Sequence, residues 1–142
     1  MAAEEQIFYQ AFSRAPQPAP REITSDTADP ERAEIAAILG RYPVAAIPGE
    51  VLAAYPLSTM FPLLTDQSFR YYMPRCITHC LEERNRNSLL CESLVYALAN
   101  ANQTRIGIFA EKERTAVFEF LQRISVMWGE DEYIKDALRK WK

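Results

Sequence analysis

The sequence predicts an all-α protein: a single compact domain of about six to seven helices with a proline-rich segment wrapped around it. Three observations lead to this prediction. Apolar residues recur at helical spacing along most of the chain, and residues typical of helix starts precede several of these stretches. A short alternating run at 105–109 is too brief to form a sheet without a partner strand. With 142 residues, 49% of them hydrophobic, the chain can bury one core.

The N-terminal part is expected to form a helix over residues 1–13, then a proline-rich linker over 14–28, before the main helical core over 29–142. One face of the first helix is apolar and contains Ile7, Phe8, Ala11 and Phe12. Three prolines then end the helix and hold a stiff, extended connection. They are Pro16, Pro18 and Pro20.

A second helix is expected to begin at Asp29-Pro30-Glu31, which combines an N-cap, a proline at the first helical position and an acid in the first turn. Gly40 is placed to end this helix with a left-handed C-cap. The inner edge of the helix consists of Ile35, Ile38 and Leu39.

The segment 41–64 is interrupted by four prolines, so it is expected to be a loop that wraps the core. The prolines are Pro43, Pro48, Pro56 and Pro62. One short helix is expected within the segment, from Gly49 to Ala54.

After residue 64 the helices follow one another closely. The expected helices run from Thr65 or Asp66 to Met73, from Pro74 to about Arg86, and from Leu89 to Ala99. Pro74 lacks the N–H that a helix interior needs, so it is placed at a helix start. Asn85-Arg86-Asn87 makes the next turn, and Ser88 is the N-cap after it. The inward residues of the third helix are Leu90, Cys91, Leu94, Val95 and Leu98.

The last part of the chain is expected to form a loop over 101–109, a long helix from Glu111, and a final helix separated from it by Gly129. The long helix keeps helical spacing at Val117, Phe120, Leu121, Ile124 and Trp128. The final helix does so at Ile134, Ala137, Leu138 and Trp141.

Several motifs together resemble a family of small, mostly helical bacterial proteins of unknown function, the DUF6714 family. The motifs are Ile7–Phe12 with its proline-rich follow-on, Ile47–Leu52, Leu64–Pro74, Glu113–Leu121 and the terminal Trp141. The run Phe-Arg-Tyr-Tyr-Met-Pro at 69–74 is the most distinctive, and the resemblance spans nearly the whole chain. It implies a helical fold and no assigned reaction.

Catalytic and metal chemistry is not expected, and no cofactor is implied. Cys76, His79 and Cys80 could share a helix face as zinc ligands with Cys91, but buried thiols on a core-facing stripe are the favoured interpretation. His79, the only histidine, is expected to be a solvated or hydrogen-bonded helix residue, and within the same helix it makes a poor base for either cysteine. The four glycines are dispersed, which excludes a glycine-rich phosphate loop.

Two hypotheses remain open for the aromatic run. Tyr71 and Tyr72 point about 100° apart on a helix, so at most one of them can face outward. Either the aromatic residues, with Phe69, are core packing, or an exposed tyrosine with Arg70 or Arg75 forms a protein-recognition patch. The acidic residues Glu82, Glu83, Glu130, Asp131 and Glu132 would complement a basic partner, unless they serve only solubility.

The expected function is that of a non-enzymatic, cytoplasmic protein-binding module. A concrete form is an immunity protein that neutralises a bacterial toxin by covering its active site. The net charge of −3 and the scattered lysines and arginines argue against nucleic acid as the partner. No stretch is apolar enough for a membrane span or signal peptide. The odd number of cysteines suits a reducing compartment.

A different class of function stays open beside it. The chain could be a small-molecule-binding or regulatory helical domain, with an apolar pocket under the 41–64 segment. The N-terminal helix could also support a homodimer.

Overall fold

The computed structural model of the protein describes residues 3–26, 28–82 and 88–142. Over these ranges the chain forms eight α-helices and four short 3-10 turns, with one isolated antiparallel bridge between Thr24 and Leu64 and no strand. The helices are α1 (Ala3–Ala11), α2 (Pro30–Leu39), α3 (Gly49–Ala53), α4 (Asp66–Leu81), α5 (Leu89–Ala99), α6 (Gln103–Gly107), α7 (Glu111–Trp128) and α8 (Glu132–Trp141). The predicted all-α fold is confirmed.

One contiguous hydrophobic core holds the helices together. α4 lies at its centre and packs against α1, α5 and α7, while α8 packs against α5 and α7. Every helix contributes at least one buried side chain, among them Phe8, Leu39, Leu52, Phe69, Leu94, Ile106, Phe120 and Trp141. The described residues therefore form one packed unit, since burial of the apolar face of each helix requires its neighbours.

The predicted helix starts are confirmed at three N-caps. The side chains of Asp29, Thr65 and Ser88 each accept a hydrogen bond from a backbone N–H three residues further along, at 3.1, 3.2 and 3.2 Å. Each bond satisfies a donor that the first helical turn would otherwise leave without a partner.

The predicted break at Pro74 is wrong, because α4 runs without interruption from Asp66 to Leu81. Proline removes one backbone bond and costs about 3 kcal/mol in a helix interior. The helix continues because both halves bury their apolar side chains, with Met73 on one side of the proline and Cys76 and Ile77 on the other. Tertiary packing thus overrides the local signal.

Two other predictions need correction: the type of cap at the end of α2 and the loop over 101–109. Gly40 caps α2 with helical backbone angles (φ −66°) instead of a left-handed turn. The expected loop over 101–109 contains the short helix α6, which is capped by Asn102 through a 2.8 Å bond from the N–H of Arg105. A five-residue helix is too short to show a hydrophobic period, so its apolar pattern does not predict it.

The proline-rich stretch 14–28 is more than the expected linker. It contains a 3-10 turn at Pro20–Glu22, and Ile23 is buried. Thr65, at the start of α4, donates its N–H to the carbonyl of Ile23 at 3.2 Å and its hydroxyl to the carbonyl of Glu22 at 2.7 Å. The stretch is therefore attached to the core and does not tether α1 at a distance.

The segment 41–64 wraps the core as predicted. Its helix α3 (Gly49–Ala53) matches the expected one. One 3-10 turn precedes this helix and two follow it. Inward side chains of the segment fill the space beneath it: Ile47, Leu52, Leu57, Met60 and Phe61 are all buried.

No helix in the described ranges is both long and apolar enough to cross a membrane. α7, with 18 residues the longest of them, carries six charged side chains.

A buried ion pair fixes α4 against α7. The Glu113 side chain, 1% exposed, accepts hydrogen bonds from two guanidinium nitrogens of Arg70 at 2.8 and 3.0 Å. The same carboxylate accepts the N–H of Ala110 at 2.6 Å and so caps α7. Three donors on one buried carboxylate satisfy a charge that would otherwise be costly to bury.

We expect Glu113→Ala to lower the free energy of unfolding by about 3–5 kcal/mol, because it removes the cap and leaves Arg70 partly buried without its partner. Urea denaturation would measure this. The matched control is Glu111→Ala, an exposed acid in the same first turn, for which a loss below about 1 kcal/mol is expected. Equal losses for the two variants would contradict the structural role of the pair.

Candidate functional site

The aromatic run lies mostly inside the core. Phe69 is 1% exposed and meets the rings of Phe61 and Phe109 edge to face, with centroids 6.1 and 6.0 Å apart. Tyr72 is buried, and Tyr71 is half-buried with its ring edge to face against Tyr72 at 4.9 Å. Of the two hypotheses for this run, these positions favour core packing.

The two arginines of the run are also engaged inside the molecule. Arg70 forms the ion pair with Glu113. Arg75 donates through Nε to the carbonyl of Ile47 at 2.9 Å and through Nη1 to the hydroxyl of Thr78 at 3.4 Å. Both guanidinium groups attach other segments to α4 and are not presented to a partner.

The acidic residues of the predicted interaction surface lie in separate places. Glu82 lines a groove between α1, α4 and α7, whereas Glu130 and Asp131 line a groove between α5 and the start of α8. Glu132 is exposed in the first turn of α8, and Glu83 lies outside the described residues. The two grooves share no lining residue.

The second of these, the α5–α8 groove, has a volume of about 1100 Å³. α5 contributes Glu92 and Tyr96, and the corner between α7 and α8 contributes Trp128, Glu130 and Tyr133. Thr59, Pro62 and Arg105 lie along its far edge, so the wrapping segment 41–64 borders this groove without covering it.

A sharp turn between α7 and α8 shapes the groove. Gly129 adopts φ 86°, a conformation that side chains disfavour, and the chain reverses there. Asp131 then caps α8 by accepting the N–H of Ile134 at 2.8 Å. α8 packs on α5, and its Trp141 donates the indole N–H to the carbonyl of Leu98 at 3.0 Å inside the core.

This packing leaves two tyrosines facing one another at the surface. Tyr96 of α5 is 55% exposed and Tyr133 of α8 is 50% exposed. Their ring centroids are 5.3 Å apart and the ring planes are inclined at 63°. A pair of exposed aromatic rings held by two packed helices is a rigid apolar surface of the kind enriched in protein interfaces.

The charges around the tyrosine pair are negative. Among the described residues, the only guanidinium that lines the groove is that of Arg105, which donates to Asp66 at 2.7 Å and to the carbonyls of Leu64 and Phe61 at 2.6 and 3.2 Å. Neither Glu92 nor Glu130 forms an ion pair with any residue in the described part of the chain. The groove therefore offers carboxylates beside aromatic rings.

One further polar group belongs to this groove. The indole nitrogen of Trp128 is shielded from solvent and has no hydrogen-bond acceptor among the residues that the structure describes. An N–H without an acceptor costs free energy when it is buried.

The other groove, the α1–α7 groove, has a volume of about 590 Å³. It is acidic, with Glu4, Glu82 and Glu119 among its lining residues. Its one cation among the described residues, Arg123, is 3.0 Å from Glu119 and 3.9 Å from Glu4. Its exposed apolar residue is Val126, and no aromatic side chain lines it. It lacks the anchor residues that the α5–α8 groove provides.

The cysteines are free and buried, as expected. Burial raises the pKa of Cys76 to about 12, whereas hydrogen bonds from Cys80 and Ser88 lower the pKa of Cys91. His79 is also buried, so of the two expectations for it, a solvated or a hydrogen-bonded helix residue, the solvated one is wrong. Across the described residues, no three His, Cys, Asp or Glu side chains are arranged to hold a metal ion.

The sequence did not single out Tyr96, Trp128 and Tyr133 as site residues. The sequence signal that could have indicated the two tyrosines is their position relative to the apolar face of each helix. Tyr96 lies off the apolar stripe of α5, and Tyr133 lies on the charged side of α8. An aromatic residue outside a core-facing stripe is expected at the surface, but the meeting of the two rings depends on how α8 packs.

Comparison of the chain with known protein families, with curated proteins and with solved structures finds no match. The proposals about function therefore rest on the geometry of the α5–α8 groove and on its charge.

Tyr72 provides a test of the buried aromatic run. Burial, followed by the proximity of Tyr71, raises the pKa of Tyr72 from 10 to about 12. Between these values the unfolded chain releases the phenol proton and the folded chain keeps it, so stability falls as pH rises, by up to about 1.4 kcal/mol per pH unit.

We expect Tyr72→Phe to reduce the slope of unfolding free energy against pH between 10 and 12, as measured by urea denaturation. The control, Tyr96→Phe, changes an exposed tyrosine and should keep the slope of the unmodified protein. If Tyr72→Phe also left the slope unchanged, the buried, protonated phenol would be contradicted.

Proposed function

We propose that this protein is a non-enzymatic binding module that recognises a basic protein partner through the α5–α8 groove. The observation that carries the proposal is the exposed Tyr96–Tyr133 pair beside Glu92 and Glu130, two carboxylates without an ion pair in the described structure. Aromatic anchors and complementary charge are the two features that most often dominate binding energy and association rate at protein interfaces.

The shape of the groove supports a protein partner. Tyr96, Glu130 and Tyr133 are all exposed, so the groove is open along its outer side. A partner can therefore cover the tyrosines and bring its own cations to the rim, where the negative potential would speed association.

In its concrete form, the proposal is an immunity protein that neutralises a bacterial toxin by covering the toxin's active site. Toxins that attack nucleic acid commonly carry a basic substrate-binding surface, and an acidic groove would bind to such a surface in place of the substrate. The same charges make nucleic acid and acidic membrane surfaces poor partners for this protein. A reducing, cytoplasmic location belongs to the proposal and is supported by the three free thiols.

A second candidate is a regulatory domain that binds a small molecule in the same groove. The volume of about 1100 Å³ and the indole N–H of Trp128 favour it, because ligand sites combine an apolar wall with a few polar groups. Such a ligand would raise the melting temperature of the protein on its own, without a second protein.

The binding test uses tagged protein to capture partners from native extract, followed by affinity measurement with the purified partner. We expect Tyr96→Ala and Tyr133→Ala each to weaken binding at least about tenfold, because each removes an aromatic anchor. Tyr55→Ala is the matched control, since Tyr55 is an exposed tyrosine that does not line the groove, and it should bind as the unmodified protein does.

A partner that binds all three variants equally well would contradict the role of the groove. A protein that elutes alone from size-exclusion chromatography, captures nothing and melts at a higher temperature with a small ligand would favour the second candidate. For the immunity form in particular, the captured partner should be toxic when produced alone, and its gene should lie beside the gene for this chain.

A further inference from the structure

We infer that the α5–α8 groove recognises an arginine side chain of the partner, seated on the Tyr96–Tyr133 pair with its guanidinium edge held by Glu92 and Glu130. This inference rests on the proposed function and names the chemical group of the partner that the groove binds. It is drawn from how the protein uses its own arginines.

Two internal arginines show a repeated arrangement. The guanidinium carbon of Arg105 lies 4.6 Å from the centroid of the Phe69 ring while its Nε binds Asp66 at 2.7 Å. The guanidinium carbon of Arg123 lies 5.4 Å from the centroid of the Phe8 ring while its Nη2 binds Glu119 at 3.0 Å. In each case the guanidinium lies over an aromatic ring and one of its nitrogens binds a carboxylate.

The α5–α8 groove contains two parts of this arrangement without the third. It has aromatic rings, Tyr96 and Tyr133, and it has carboxylates, Glu92 and Glu130. Over the described ranges, no arginine or lysine stacks on either tyrosine. A guanidinium supplied by a partner would complete the arrangement.

The placement of the groups suits a guanidinium. Glu92 precedes Tyr96 by four residues on α5, so the two side chains lie on the same face of the helix. The two rings contact each other edge to face with 63° between their planes, so a guanidinium would stack on the outer surface of the pair and not between the rings. Half of each tyrosine remains accessible for that contact.

Arginine fits better than lysine for two physical reasons. Its planar guanidinium stacks on an aromatic ring and still presents its donors at the edge to carboxylates, whereas an ammonium is a compact, strongly hydrated point charge. A neutral group of the same shape would stack and could still donate N–H groups, but it would lose the charge attraction to Glu92 and Glu130. Recognition should therefore depend on both the shape and the charge of the group.

The experiment is an NMR titration of the full chain with Nα-acetyl-arginine amide. The neutral control probe is Nα-acetyl-citrulline amide, which has nearly the same shape without the charge. The two tryptophans give an internal comparison: Trp128 lines the groove, whereas Trp141 is buried with its indole N–H bonded to Leu98. Their indole N–H resonances can be followed in one spectrum.

We expect the arginine probe to shift the Trp128 indole resonance and the amide resonances of Tyr96 and Tyr133 in a saturable way, and to leave the Trp141 indole unchanged. Binding of the citrulline probe should be at least about tenfold weaker. Tyr96→Leu and the double variant Glu92→Gln/Glu130→Gln should each weaken arginine binding by a similar factor, while Tyr55→Leu should not. All these positions are exposed, and melting curves would verify that each variant is folded.

Equal binding of the arginine and citrulline probes would overturn the inference, as would shifts confined to the α1–α7 groove. Equal binding of Nα-acetyl-lysine amide would overturn the assignment to arginine. The titration is independent of partner capture, so a failure of the arginine inference can be distinguished from a failure of the proposed function. A captured partner that depends on Tyr96 and Tyr133, with no arginine response, would remove this inference and leave the proposed function in place.

Discussion

The ion pair between Arg70 and Glu113 fixes the position of α7 against α4. The position of α7 in turn determines where Trp128 and the turn into α8 lie. Its carboxylate is buried, receives three hydrogen bonds and also caps the helix that begins beside it. α7 then runs about 27 Å without interruption to Trp128. Because a helix of this length is stiff, fixing its start against α4 also fixes where its far end places Trp128 and the turn into α8. The groove wall thus depends on an interaction at the opposite end of α7.

Arginines act repeatedly as internal connectors in this fold. The segment 41–64 has little regular helix, so several of its backbone carbonyls need donors from elsewhere. Arg75 supplies one to Ile47, and Arg105 supplies two, to Phe61 and Leu64. A guanidinium can satisfy carbonyls and a carboxylate together because its donors diverge from one plane. The most distinctive run of the sequence therefore has an architectural role, and the candidate binding surface lies elsewhere.

Local signals predicted much of the fold and little of the site. The N-caps at Asp29, Thr65 and Ser88 were predictable because a cap and its helix are neighbours in the chain. The continuity of α4 through Pro74 was not, because it depends on burial against distant helices. The candidate site depends even more on contacts between residues that are distant in the sequence. Tyr96 and Tyr133 meet only because α8 folds back onto α5, and such a contact leaves no local pattern in the sequence.

Because α8 is joined to α7 by a single turn at Gly129, the proposed binding surface depends on how α8 packs against α5. α8 has ten residues and is held chiefly by its buried face, which includes Ile134 and Trp141. A helix can open locally without unfolding of the whole protein, and an opening of α8 would carry Tyr133 away from Tyr96. Under the proposed function, the fraction of time that α8 is packed on α5 is then an upper limit on the fraction of molecules that can bind a partner, and a partner that contacts both helices would stabilise the packed position of α8.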